Sequence, residues 1–402
     1  MVDNMIKLKN GITLIFSKNN EKYINIDFAY RVGNKDENEN QRGFAHLLEH
    51  LFLRSTKNKQ YSEIIRELEE CGAQINACTK QEFTHFFMDC LTSKFKNAFN
   101  LFLELLTNDY YDSEEYEKVI QIVNEEVELY LRSPIDTLKD TLNKNVYNCE
   151  MKNAVTDKKF EKIPNLSDII NFKNKYYCNN NLIVTVSGKI TCTIKKLIIN
   201  RLSLMTSGDC YKDNRLPKFK DVSCLPIDVA QDKQFIVGKR YVYPTNSFKD
   251  FLKLKILGKL LGGSISSRLF TSLREDNGLV YSVYSYSDMF INHATLTIIA
   301  YVSSSKYKDA IPLLETNVSK GSLSIINLSE FDKAKILLSL NFAKEFSINN
   351  TLSQFVSECY SIYSLQLNYK KLIKYLKNIT YTEFIDFCKS LNNNWYNSII
   401  QY

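Results

Sequence analysis

Residues 43–50 read Gly43-Phe44-Ala45-His46-Leu47-Leu48-Glu49-His50, and they hold two of the chain's four histidines. The pattern predicts a helix that begins near Gly43 and runs to about Leu53. At 100° per residue, Glu49 and His50 fall within about 60° of His46, on opposite sides. All three therefore project from one face, while Leu47 and Leu48 point elsewhere. Two imidazoles four residues apart on a helix can grip one metal ion, and a carboxylate between them can hold a water against it. The blander alternative is a helix with two satisfied histidines and a solvated Glu. Against it stands the concentration of half of all the histidines here, with Glu between them. A tetrahedral zinc site needs a third protein ligand, and this helix has only one such face. The candidates are Glu114, Glu115, Glu117, Glu125, Glu126 and Glu128 of a helix expected over 113–132. Spacing alone does not choose among them, and six Glu on one helix are by default an exposed acidic face.

Around this helix the chain reads as two similar halves. In the first, Ile6–Phe16 holds the turn pair Asn10-Gly11, a hairpin signal. Tyr23–Val32 is a further strand. A second helix, Ser62–Cys71, stops at Gly72. Strands follow at Gln74–Thr79 and Phe83–Leu91, then helices over about 93–108 and 113–132. Asp112 with Glu115 fits a capping box at the start of the latter, and Pro134 its stop. Leu182–Ser187 is a short apolar strand. The polar stretch Thr206–Cys224 reads as a linker. The second half has a strand at Phe235–Val242 and a helix at Ser247–Leu261. A second helix, Ser266–Glu275, stops at Asn277-Gly278. Strands at Tyr281–Tyr286 and Ala294–Val302 precede a mostly helical remainder to Asn393. The expected architecture is α+β: two repeated sandwich domains, each a mostly antiparallel sheet packed with helices. The expected boundaries are 1–205 for the metal-bearing domain, 206–224 for the linker and 225–402 for the second domain.

At 402 residues the chain is long enough for two or three domains of roughly 100–200 residues each. Its 44% hydrophobic and 24% charged content excludes wholesale disorder. The net charge of +7 is scattered, with no basic block, so no nucleic-acid partner is expected. The 25 Tyr and 24 Phe are spread as core and strand residues, not gathered as a stacking platform. No apolar run approaches the roughly 18 residues that span a bilayer. The start is polar, without an export signal, and the ten cysteines show no CxxC pair. They read as buried, reduced thiols in a cytoplasmic protein. His85 reads as a satisfied structural histidine, and His293, after a turn-like Asn292, as exposed.

H-x-x-E-H is the inverted zinc motif, and with it the chain resembles the insulinase/pitrilysin/mitochondrial processing peptidase family of metalloendopeptidases. That family places its third ligand, a Glu, in an E-E-[IV]-x-[LM]-Y-x-x-x-P-like segment. Here Glu125-Glu126-Val127-Glu128-Leu129-Tyr130-Leu131-Arg132-Ser133-Pro134 matches it, and Glu126 lies 76 residues after His50, the family's spacing. Gly72 with Asn76-Ala77-Cys78-Thr79 and Thr84 resembles the family's G-x-x-x-N-A-x-T strand. In the second half, Gly262-Gly263-Ser264-Ile265-Ser266-Ser267-Arg268-Leu269-Phe270 and Leu273-Arg274-Glu275-Asp276-Asn277-Gly278-Leu279-Val280-Tyr281-Ser282 resemble its C-terminal signature.

The resemblance implies a zinc endopeptidase. One Zn²⁺ per chain would be held by His46, His50 and Glu126, with Glu49 as general base. Arg274 and Tyr281 would assist substrate binding and catalysis. The peptide would lie along the strand of Asn76, Ala77 and Thr79. A chain of this length would be half of a clamshell, acting on unstructured peptides or leader and precursor segments inside a dimeric chamber. The partner would be a second copy or a paralogous subunit. The alternative is a non-catalytic peptide-binding or scaffold subunit of a processing peptidase. One position departs from the pattern. The family usually carries a further acid seven residues before the third ligand, and here that residue is Val119.

Overall fold

The computed structural model describes residues 4–148, 159–206, 217–222, 225–226, 229–230 and 233–402. In chain order the elements are β1 (Asn4–Lys7), β2 (Thr13–Lys18), β3 (Tyr23–Tyr30), α1 (Phe44–Phe52), α2 (Tyr61–Glu70), β4 (Ala73–Thr79), β5 (Thr84–Leu91), α3 (Phe95–Leu106), α4 (Ser113–Arg132), α5 (Pro134–Val146), α6 (Leu166–Tyr176), β6 (Leu182–Gly188) and α7 (Cys192–Ser203). They continue with β7 (Gln234–Pro244), α8 (Phe248–Gly262), β8 (Val280–Phe290), β9 (His293–Ser303), α9 (Ser304–Val318), α10 (Lys320–Ser324), α11 (Leu328–Glu345), α12 (Asn349–Tyr363), α13 (Tyr369–Lys377), α14 (Tyr381–Ser390) and β10 (Trp395–Gln401).

The chain forms two compact α+β units. The first holds a six-stranded sheet in the order β1-β2-β6-β3-β5-β4. Every neighbouring pair is antiparallel except β2 with β6. The Asn10-Gly11 turn closes the β1–β2 hairpin, as its dipeptide predicts. One sheet face, with Ile24, Ile26 and Phe28, packs against the apolar stripes of α1, α3, α4, α6 and α7. The other face is covered by α12, whose Leu352 and Val356 meet Ala29, Ile15 and Ile183. Buried on both faces, β3 and β6 have no solvent side. Their polar residues on the second face find partners on α12: Thr185 meets Ser357 and Ser187 meets Ser353, each at 2.8 Å between hydroxyls.

The second unit holds an antiparallel sheet in the order β10-β7-β9-β8. On it Leu138 and Leu142 of α5 pack against Ile236 and Ile299. Gly72 and Gly278, the expected helix ends, both have positive φ, 62° and 58°. That left-handed conformation is the usual glycine C-terminal stop.

The units are not the contiguous halves 1–205 and 225–402. The first draws on residues 4–129, 159–206 and 345–368, and the second on 130–148, 369–402 and the described part of 217–344. Two helices cross over in sequence: α12 joins the first sheet and α5 the second. Pro134 ends α4 as expected, but it is also the first residue of α5, capped by Ser133. Strand β10 was hidden behind the helical tail. Most of the expected linker 206–224 lies outside the described residues. Within its described part, Phe219 bridges to Tyr147. His293 is buried, not exposed. Its ring stacks on Phe290 at 4.8 Å, and Tyr147 Oη lies 3.0 Å from its Nε2. The reading of reduced cysteines is corrected at Cys178, which is disulfide-bonded. Cys71, Cys78, Cys90, Cys192, Cys359 and Cys388 are free thiols. Among the described residues no helix is long and apolar enough to cross a membrane.

Candidate metal centre

Helix α1 is fixed at both ends by aromatic contacts. Phe44 meets Phe172 edge-on at 6.0 Å, and Phe52 packs on Phe86 at 4.8 Å. Its N-terminus is held by a carboxylate from outside the helix. Glu37 accepts the backbone N–H groups of Gly43 (2.9 Å) and Ala45 (2.8 Å), which satisfies two of the orphan donors of the first turn. Leu47, Leu48 and Leu51 turn into the core, so His46, Glu49 and His50 are left on the opposite side.

Helix α4 buries Tyr116, Val119, Ile120, Val123 and Val127 against the same core. Asp112 caps it by accepting the N–H groups of Glu114 and Glu115, each at 3.0 Å. The capping box is only half formed. The Glu115 carboxylate turns instead to Ser55, accepting its hydroxyl at 2.7 Å and its N–H at 3.2 Å. Ser55 lies just past the end of α1, so this contact ties the exit of α1 to the start of α4. Of the six candidate acids, Glu115 is spent on Ser55 and Glu128 on Lys159 at 2.9 Å. Glu126 reaches the histidines.

The geometry at that point is compact. His46 Nε2 and His50 Nε2 are 3.2 Å apart. Glu126 Oε2 lies 3.5 Å from the first and 3.2 Å from the second. The two imidazoles hold the Glu126 carboxyl well below the usual carboxylate range. Zinc bonds of about 2.0–2.2 Å at tetrahedral angles put ligand atoms about 3.3–3.6 Å apart. The three separations match that edge, so the donor set fits one zinc ion. His46 is buried, while the Glu126 side chain is 50% exposed, so the cluster is open on the Glu126 side.

Glu49 does not join this cluster. Its Oε2 accepts the Thr79 hydroxyl at 2.5 Å. Thr79 ends β4, and β4 is the edge of the sheet, a position where an added strand can pair. Asn76 and Ala77 lie in the same strand, where Asn76 Oδ1 accepts the N–H of Ala77 at 2.8 Å. The two remaining expected site residues belong to the second unit. Arg274 sits in a π-helix, Phe270–Glu275, its guanidinium 4.9 Å from the Phe270 ring and 5.9 Å from the Tyr281 ring. Tyr281 falls at a bulge, where the β8–β9 register jumps between Val280 and Ser282. A bulge re-aims its extra side chain, and Tyr281 is 82% exposed. Val119 is buried among apolar neighbours.

Two residues escaped the sequence reading. Glu37 lies six residues before Gly43, too far for a capping-box pattern. Thr79 was read only as part of a substrate strand, and nothing local signals its bond to Glu49. His85, read as structural, is fully buried between Asp27 and Glu358.

Residues 14–158 match the insulinase model of peptidase family M16, and residues 165–338 match that of the peptidase M16 inactive domain. An uncharacterized zinc protease of Rickettsia felis is 25% identical over 398 residues, covering 95% of this chain and 93% of its own. The uncharacterized zinc protease YmxG of Bacillus subtilis is 26% identical over 294 residues, covering 72% of this chain and 71% of its own. The crystal structure of a protease from Helicobacter pylori superposes with a TM-score of 0.82 at 21% identity, over 99% of each chain. With both halves matched by models of one family, the chain belongs to the insulinase family of peptidases, M16.

Proposed function

We propose that this chain is a zinc-dependent metalloendopeptidase, acting on unstructured peptides or leader and precursor segments. The observation that carries the reading is the approach of His46, His50 and Glu126 at tetrahedral spacing, with Glu49 beside them and outside the cluster. Zinc bound there would supply Lewis-acid polarisation of a peptide carbonyl and lower the pKa of a water to about 7. Glu49 takes the proton from that water and returns it to the departing amine. An extended peptide pairs with the edge of β4 along Asn76, Ala77 and Thr79, displacing the Asn76 side chain from the Ala77 N–H. This mode of capture favours unstructured substrates, because a folded protein has no free strand to offer. The Tyr281 hydroxyl donates to the carbonyl oxygen as charge develops there, and Arg274, stacked beside it, anchors the pair.

Arg274 and Tyr281 of one subunit serve the metal site of another in this proposal. The chain carries both sets of residues, so a homodimer with two sites suffices. Pairing with a paralogous subunit is the variant of the same idea. The second reading, a non-catalytic peptide-binding or scaffold subunit, draws support from Val119, which puts an apolar side chain where the family usually has an acid. The intact ligand set weighs against it. Digestion of a peptide library with and without a chelator, read by mass spectrometry, tests the two. Chelator-sensitive cleavage is expected, and peptide binding without any cleavage would favour the scaffold reading.

A further inference from the structure

Resting on the reading of Glu49 as proton carrier, we propose that the Thr79 hydroxyl is its positioning group, and that an ion chain anchored on α12, running from the buried Asp27 and His85 to the exposed Lys80, holds Thr79 in place. Glu49 is a long side chain on a half-open helix face. Its one protein hydrogen bond among the described residues is the 2.5 Å contact from Thr79 Oγ1 to Oε2. That bond leaves Oε1 free for a water. Threonine suits the task, because its branched Cβ restricts χ1.

A donor at the end of an edge strand needs its own support. The turn after Thr79 is closed by Lys80 N–H to Phe83 C=O at 2.7 Å. Across the ladder Thr79 faces Thr84, whose hydroxyl donates to Val32 C=O at 2.9 Å. The Lys80 ammonium donates to Glu358 of α12 at 2.6 Å. The same Glu358 oxygen lies 3.1 Å from His85 Nε2, and His85 Nδ1 lies 3.0 Å from Asp27 Oδ1 on β3. Ser357 donates to the other Asp27 oxygen at 2.9 Å. Buried charges stabilise little compared with apolar packing, so the fully buried Asp27 and His85, linked through Glu358 to Lys80, call for another use. Pinning the β4–β5 turn, and with it Thr79, gives one.

The test compares wild type, E49Q, T79V, T79A and T79S, all zinc-loaded, by steady-state kinetics and metal content. T79V and T79A remove the hydroxyl by different steric means. Both are expected to lower kcat about 10–100-fold with KM and zinc content unchanged, and T79S to restore it to within a few-fold. Crystals of the metal-free variants give a readout independent of turnover. Glu49 should leave its rotamer in T79V and T79A and keep it in T79S. Wild-type kcat in T79V and T79A, a loss that T79S does not restore, or an unmoved Glu49 in both would overturn the proposal. If wild type cleaves nothing, the peptidase reading falls, and the rotamer comparison still decides the positioning claim.

Discussion

Two imidazole nitrogens 3.2 Å apart, with a carboxylate oxygen 3.2 Å and 3.5 Å from them, form a donor set shaped for a cation. The part that lies on one helix was legible, because the 3.6-residue period alone puts His46, Glu49 and His50 on one face. The third member was not. Six acids share the region of Glu126, and choosing among them requires the folded geometry, in which Glu126 is the one of the six that joins the histidines. Family resemblance singled it out; spacing did not. Because Glu49 sits outside the cluster, its substitution separates metal holding from catalysis. Glu49→Gln should bind zinc as wild type does and lose turnover by about 10²–10⁴-fold. Parallel metal analysis and peptide kinetics check this, and loss of zinc in the variant would place Glu49 among the ligands.

The exchange of α5 and α12 between the units was invisible in the sequence. Each is an ordinary amphipathic helix, and nothing in its periodicity says which sheet it will cover. Only the buried partners do: Ser353 and Ser357 for α12, Leu138 and Leu142 for α5. The consequence for α12 is a pH-dependent fold. Burial by itself would raise Glu358, but Lys80 and His85 outweigh it and hold the carboxyl at about 2. Burial opposes the charging of His85 as well, yet the neighbouring Asp27 raises its pKa above the ordinary value. A depressed carboxyl stabilises fully above its ordinary pKa, about 4.3, and that contribution is lost as pH falls through the folded value. A raised imidazole stabilises below about 6.5, and its contribution is lost as pH rises through its folded value. Thermal unfolding between pH 5 and 2 should show a falling limb that Glu358→Gln makes shallower, the rest coming from other depressed carboxyls such as Glu126 and Glu330. At neutral pH the same variant should be less stable than wild type, because Lys80 loses its ion pair and His85 keeps only Asp27. An unchanged acid limb in the variant would show that the chain through Glu358 does not hold α12.

The two-unit α+β architecture was readable from strand–helix order and glycine stops, since each half repeats the plan around Gly72 and Gly278. The way two chains share chemistry is a matter of assembly, and the placement of Arg274 and Tyr281 in the second unit raises it. If Tyr281 of one subunit completes the metal site of another, two inactive variants can rescue each other. Equal amounts of Glu49→Gln and Tyr281→Phe, unfolded and refolded together, should regain about a quarter of wild-type activity. Half of the dimers are then mixed, and each mixed dimer has one intact site. No gain over the separate variants would place both residues in one chain's own site, or make the monomer the working form. The account as a whole rests on the ion between His46, His50 and Glu126, and elemental analysis of the purified protein addresses it directly. About one zinc per chain is expected in wild type, lost from Glu126→Ala, with peptide cleavage that stops on chelation and returns on adding zinc. Wild-type protein that retains no zinc, even when zinc is supplied, would contradict it.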